Sequence, residues 1–242
     1  MIPKIIHYCW FSNDKKPKSI QKCIDSWSRI MPDYEIRCWD GNSFDFDSVP
    51  FVKEAMAAKK YAFAADYIRL YALYTEGGIY LDSDVLAYQT FDSVLSNSFF
   101  CGTEAYYVGE ELRFRMEAAI MGSEKGHPFV KECLEWYSGQ HYSSDGNHSF
   151  LVMPDVISNL AQLMGYRRVN ETQWLDGNTT IFPTTVFTNA LHSDFSSRET
   201  LLAIHQNAGS WIDYSDRGWL YRICRKNSMM GLYSALERLF NR

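Results

Sequence analysis

The stretch EGGIYLDSDV, residues 76–85, sets two carboxylates, Asp82 and Asp84, one residue apart directly behind the run Ile79-Tyr80-Leu81. If that run is a buried strand, Asp82 and Asp84 share one face of the chain as it leaves the sheet, because strand side chains alternate with period two. Like charges that close repel each other, so the pattern asks for a partner cation. Gly77 and Gly78 end the helical pattern before it and turn the chain into the strand. Asp-x-Asp by itself is a weak signal. The same chain repeats it at Asp45 and Asp47, in NSFDFDSVP, among turn residues and with no apolar strand in front. The surroundings of residue 82 therefore carry the distinction.

Immediately upstream, YAFAADYIRLYALY (61–74) contains only two charged residues, Asp66 and Arg69. A helix this apolar is covered on most sides. Asp66 and Arg69 stand three apart on one face of it. On a solvated helix they would be an ordinary ion pair; here they are either a buried pair or the polar end of a pocket, since a charge buried without partners is costly.

Outward from this segment, KIIHYCWF (4–11) reads as a buried first strand, PKSIQKCIDSWSRIMP (17–32) as a helix ending at Pro32, and YEIRCWD (34–40) as a strand. Helices follow near 50–60 and 61–75. The order β-α-β-α-α-β predicts a parallel, right-handed, doubly wound sheet with helices on both faces. Ligands bind such sheets at the carboxyl ends of the strands, where Asp82 and Asp84 fall. The second half is less regular: FFCGTE (99–104) and FRMEAAIMG (114–122) suggest strands, PFVKECLEWY (128–137) and DVISNLAQLMG (155–165) helices, and LLAIH (201–205) a strand ending in a histidine. No linker divides two domains.

The 242 residues, 46% of them hydrophobic, suit one α/β domain with a sizeable core. A net charge of −5 argues against nucleic acid as the main partner. The 16 tyrosines and 7 tryptophans suit a site for sugars or bases. Cys9, Cys23, Cys38, Cys101, Cys133 and Cys224 show neither a C-x-x-C pair nor zinc spacing, which points to reduced thiols and a cytoplasmic setting. No apolar run reaches the roughly 18 to 20 residues of a membrane span, and MIPKIIHYCWF has no signal-peptide pattern. From Arg217 to Arg242 six basic residues face one acid, Glu237, interleaved with apolar side chains. That tail reads either as an amphipathic helical surface for anionic membrane lipid, on the inner face of the cell membrane, or as a helix packed on the domain.

Taken together, IPKIIHYCWF, AADYIRLYALYTEGGIYLDSDV and AIHQNAGSW resemble glycosyltransferase family 32, sugar-transfer enzymes with a DxD motif found in capsular and outer-chain polysaccharide synthesis. The resemblance spans Ile2 to Trp211. It implies a GT-A fold over residues 1–216, Rossmann-like and mostly parallel with flanking helices, and a helical C-terminal appendage over 217–242 in the same compact unit. It also implies a nucleotide-sugar donor, with a UDP-sugar favoured over a GDP-sugar, a divalent cation, Mn2+ or Mg2+, and retention of the donor's α configuration.

The resemblance assigns Asp84 as a direct metal ligand, Asp82 to the metal or the ribose, and His205 as the completing ligand. Asp66 and Arg69 would hold donor hydroxyls, Trp10 with Tyr8 the nucleobase, and Gly209, Ser210 and Trp211 a loop over the diphosphate. A retaining double displacement would need a carboxylate on the far face of the sugar. Glu117, Glu104 and Asp155 are the candidates, Glu117 foremost; front-side attack needs none. The expected reaction moves a hexose to a saccharide or lipid-linked saccharide acceptor in surface polysaccharide synthesis.

Two alternatives stay open. A haloacid dehalogenase-like phosphatase also places Asp-x-Asp after a strand, but Leu86 stands where that family wants Thr or Val. A non-catalytic carbohydrate-binding protein could keep the fold without turnover.

Overall fold

The structure, a computed structural model, describes residues 1–12, 14–142, 152–190 and 199–207. The proposed tail over 217–242 lies outside them. The first half follows the sequence reading: β1 (Ile5–Cys9), α1 (Lys18–Ile30), β2 (Glu35–Trp39), α2 (Pro50–Ala57), α3 (Tyr61–Glu76) and β3 (Gly78–Leu81). The second half contributes β4 (Val85–Ala87), β5 (Phe99–Val108), β6 (Glu111–Ser123), α4 (Pro128–Ser138), α5 (Met153–Ala161), β7 (Gln173–Leu175), β8 (Thr179–Phe182), β9 (Phe187–Asn189) and β10 (Ala203–His205).

Seven strands form the main sheet in the order β2-β1-β3-β6-β5-β8-β7. Strands β1, β2, β3, β5 and β8 run one way; β6 and β7 run the other. The sheet is thus mostly parallel, as expected, with β1, β2 and β3 parallel as the first half predicts and β6 running antiparallel beside β3. Strand β3 explains its own sequence. Ile79 and Leu81 pack into the core on the α1 face, while Tyr80 joins the opposite core with Leu70, Leu73 and Phe129. All four residues of β3 are buried. A strand covered on both faces needs a continuous apolar run, and this one has it.

Gly77 and Gly78 are required by the crossing into β3. Both have positive φ, and a Cβ on Gly78 would stand 2.7 Å from the Ile5 carbonyl oxygen and 3.0 Å from His7 Nε2. His7 is fixed as a neutral tautomer there: Trp39 Nε1 donates to its Nδ1 at 3.0 Å, so its Nε2 donates to the Gly77 carbonyl at 2.8 Å.

A smaller sheet, β4-β10-β9, stands beside the carboxyl ends of the main strands. Helix α1 holds β4 in place: Trp27 Nε1 donates to the Val85 carbonyl at 2.8 Å, and the Ala87 amide donates to Ser26 Oγ at 3.0 Å. Strand β10 pairs antiparallel with β4, setting His205 opposite Val85 and next to the aspartates. Among the described residues, no helix is long and apolar enough to cross a membrane.

Candidate active site

Asp82 and Asp84 meet, but not by the route expected. The Asp82 amide still bonds the Ala119 carbonyl on β6, at 2.9 Å, and the Val85 amide then folds back onto the Asp82 carbonyl at 2.9 Å. The chain therefore turns between the two aspartates instead of continuing extended, which corrects the period-two reading. That turn points Asp84 toward β10, where the Gln206 amide donates to the Asp84 carbonyl at 3.1 Å.

The result is a cluster of Asp82, Asp84 and His205, each offering one ligand atom within 4.8 Å of the others. His205 Nε2 stands 3.4 Å from Asp84 Oδ1 and 4.0 Å from Asp82 Oδ2. Asp82 Oδ1 is already used: the Tyr80 hydroxyl donates to it at 2.9 Å and Arg69 Nη2 lies 3.3 Å away. Its Oδ2 thus faces the cluster. Two carboxylate oxygens and one imidazole nitrogen form a donor set that fits a hard to borderline divalent cation.

Electrostatics agree with the geometry. Burial pulls the His205 pKa down, yet Asp84 and Glu117 outweigh it and hold the imidazole well above its ordinary value. Burial pushes the Asp82 carboxyl up, opposed by Arg69 and His205. Arg69 and the His205 imidazolium offset part of the charge of the two aspartates, and a divalent cation bound here would take the place of the proton on His205 Nε2.

Glu117 belongs to this site, but behind it. It is 3% exposed; its Oε1 accepts from the Ala119 amide at 2.9 Å and stands 3.4 Å from His205 Nδ1. A carboxylate on the far nitrogen of a ligating histidine fixes the ring's orientation. This is the geometry of a positioning residue, in place of the sugar-facing carboxylate expected. Glu104 pairs with Arg115 at 2.8 Å, and Asp155 with Arg115 and Arg168 at 2.8 and 3.1 Å. Glu104 and Asp155 are thus committed to ion pairs, whereas Glu117 keeps its second oxygen, Oε2, without a hydrogen-bond partner.

Arg69 is a structural centre. Only 4% exposed, it donates to the carbonyls of Ala118 at 2.6 Å and Ala65 at 3.3 Å, pairs with Asp66 at 3.0 Å and Asp82 at 3.3 Å, and lies over the Tyr80 ring. It ties α3 to β6 and aims both carboxylates, so its committed guanidinium has little left for a donor hydroxyl. Asp66 keeps an oxygen beyond the pair. Burial raises its pKa to about 7, with Arg69 pulling the other way.

Trp10 follows β1 at the same carboxyl edge, half-buried, with Lys16 Nζ 5.2 Å from its ring centre. Tyr8 is a core residue, its ring edge-on to Trp27 at 5.6 Å, which corrects its assignment to an open nucleotide face. Gly209, Ser210 and Trp211 lie outside the described residues. The second pair, Asp45 and Asp47, only builds a turn: the Asp47 amide donates to Asp45 Oδ1 at 3.0 Å. Tyr80, which the sequence reading did not single out, shares Asp82's face at period two; that spacing was the available signal.

Residues 17–100 match the family model described as "Glycosyltransferase sugar-binding region containing DXD motif". That window holds Asp66 through Asp84 but neither Glu117 nor His205, which join the site through the fold. The chain is 32% identical over 149 residues to inositol phosphoceramide mannosyltransferase 3 of Schizosaccharomyces pombe, covering 55% of this chain and 36% of that protein. It is 30% identical over 153 residues to mannosyl phosphorylinositol ceramide synthase CSH1 of Saccharomyces cerevisiae, covering 60% and 37%. The chain thus spans little more than a third of the length of these relatives. Among solved structures, "PaToxG Glycosyltransferase" superposes with a TM-score of 0.51 at 19% identity, over 67% of this chain and 69% of that one. A glycosyltransferase involved in glycosylation of the major capsid of PBCV-1 superposes with a TM-score of 0.51 at 12% identity, over 94% and 99%. The fold is of the GT-A type.

Proposed function

We propose that this chain is a metal-dependent, retaining glycosyltransferase that moves a hexose from a nucleotide-diphosphate sugar to a saccharide or lipid-linked saccharide acceptor. The observation that carries the reading is the convergence of Asp82, Asp84 and His205 at the carboxyl edge of a GT-A sheet. Such a cluster would hold Mn2+ or Mg2+, which supplies charge neutralisation for the departing diphosphate.

The chain's own residues do the rest. Arg69 and Tyr80 fix one oxygen of Asp82, and Glu117 fixes the ring of His205, so the donor set is held before any ligand arrives. Asp66 accepts hydrogen bonds from donor hydroxyls. Trp10 stacks on the nucleobase. With Glu104 and Asp155 tied up in ion pairs and Glu117 turned toward His205, front-side attack assisted by the leaving group accounts for retention without a protein nucleophile.

UDP is the nucleotide expected from the family resemblance. The word mannosyl in the names of both yeast relatives supports a second reading, a mannose donor, whose usual carrier is GDP. Surface polysaccharide synthesis at the inner face of the cell membrane is the proposed setting, supported by the family resemblance and the basic tail.

The test is a thermal-shift panel of UDP, GDP, UDP-hexoses and GDP-mannose, each with and without manganese. A ligand at about 100 times its Kd stabilises by roughly 2.7 kcal/mol, which is readily seen. Stabilisation by one nucleotide only with manganese supports the reading and names the donor; no response from any member refutes it.

A further inference from the structure

The hairpin of β5 and β6 outruns the sheet. Leu81 at the end of β3 pairs with Ile120, so residues 111–117 of β6, and the part of β5 paired with them, stand beyond the carboxyl edge that holds the metal cluster. Between this overhang and α5 opens a cleft of about 570 Å³, lined by Tyr106, Arg113, Phe114, Asp155, Asn159 and Arg168 among others. Its volume falls in the range of small-molecule sites. Arg113 is four residues along β6 from Glu117, a rise of roughly 13 Å.

A run of charged side chains links the two places. His205 meets Glu117; beyond it on the same hairpin Glu104 pairs with Arg115, Arg115 with Asp155, and Asp155 with Arg168, whose Nη2 donates to Asn159 at 3.0 Å. The cleft wall is balanced, Arg113 and Arg168 against Glu111 and Asp155, and each arginine is already paired with an acid. A net anion finds no uncompensated charge there. Hydroxyl groups find the bonded set of Asp155, Arg168 and Asn159 beside the ring of Phe114 and the ring of Tyr106, one face of which Arg115 covers, the mixture a neutral sugar ring requires.

We infer that this cleft is an acceptor subsite that takes a neutral saccharide unit one or more residues away from the hydroxyl that is glycosylated. The inference rests on the transferase reading above. It deepens it by requiring an acceptor longer than a monosaccharide, because the reacting hydroxyl must lie at the metal cluster while the cleft holds a remote ring.

The test uses the full chain and saturation-transfer NMR with mannobiose, maltose, lactose and cellobiose, with inorganic phosphate as competitor. Manganese-dependent nucleotide stabilisation is recorded on the same samples. At least one disaccharide binds, phosphate does not displace it, and Asn159→Ala and Arg168→Gln each weaken it about tenfold, the equivalent of one good hydrogen bond, leaving nucleotide stabilisation intact. Asn159 is exposed, so its replacement leaves the fold undisturbed. Nucleotide stabilisation without binding of any disaccharide overturns the subsite and leaves the transferase reading standing. Displacement by phosphate, or binding indifferent to both variants, also overturns it. Disaccharide binding with no nucleotide response overturns the acceptor role together with the transferase reading.

Discussion

Glu117 Oε1 stands 3.4 Å from Nδ1 of His205, whose Nε2 stands 3.4 Å from Asp84 Oδ1, so the imidazole lies between two carboxylates, one on each ring nitrogen. Partners of this kind set ring orientation and ligand basicity, and their loss lowers metal affinity about 10- to 100-fold. Glu117→Gln keeps the shape but removes the charge. We expect its Mn2+ affinity, measured by electron paramagnetic resonance titration, to fall by that amount while the far-UV spectrum is unchanged. An unaltered affinity would show that His205 is oriented by the backbone alone.

Arg69 gives a harsher case. Its guanidinium serves two carbonyls and two carboxylates at once, from a position with almost no solvent access. Removing one member of a buried ionic network leaves the others uncompensated, at about 3–5 kcal/mol. Arg69→Met is expected to lose that much in urea unfolding. Arg69→Lys should recover only part, because a single ammonium cannot reach carbonyls on α3 and β6 and two acids together. Full recovery by lysine would reduce the role of Arg69 to that of a point charge.

Gly78 has no tolerance for a side chain. Its φ is +107°, and an added Cβ would lie 2.7 Å from a backbone oxygen of β1. Both strain and overlap oppose alanine, together about 1–3 kcal/mol or more. Gly139, with φ −95° and nothing within 4 Å of an added methyl, is the control and should accept alanine without loss. Equal stability of G78A and G139A, by thermal unfolding, would contradict the account of the Gly-Gly turn.

The strand before Asp82, the apolar helix before it and the parallel first half were all legible, because local periodicity and buried apolar runs determine them. The antiparallel placement of β6 was not. It depends on the pairing of β3 with a strand about forty residues further along the chain, a long-range choice with no local signature. The pairing of Asp84 with His205 spans more than a hundred residues and rests on β10 finding β4, so only family resemblance could suggest it. Glu117 was visible as an acid in an apolar strand, but whether it faced a sugar or a histidine depended on that same distant strand. Tyr8 misled for a simpler reason: a tyrosine at a strand end reads alike whether its ring is packed on Trp27 or open to a ligand.

Asp66 gives the stability of the protein a pH dependence that can be tested directly. Burial raises its pKa to about 7 in the native protein, against the attraction of Arg69. The unfolded chain releases this proton near pH 4, whereas the native protein keeps it until about pH 7. Across that window the native state binds more protons, so the contribution of Asp66 to stability falls as pH rises and levels off above about 7. Asp66→Asn removes the titration. The stability of wild type relative to D66N, from urea unfolding in EDTA, should therefore be greater at pH 5 than at pH 8. A gap constant with pH would mean that Asp66 is ionised throughout, held by Arg69 more strongly than burial opposes it. In that event the second oxygen of Asp66 would be an equally good hydrogen-bond acceptor at either pH.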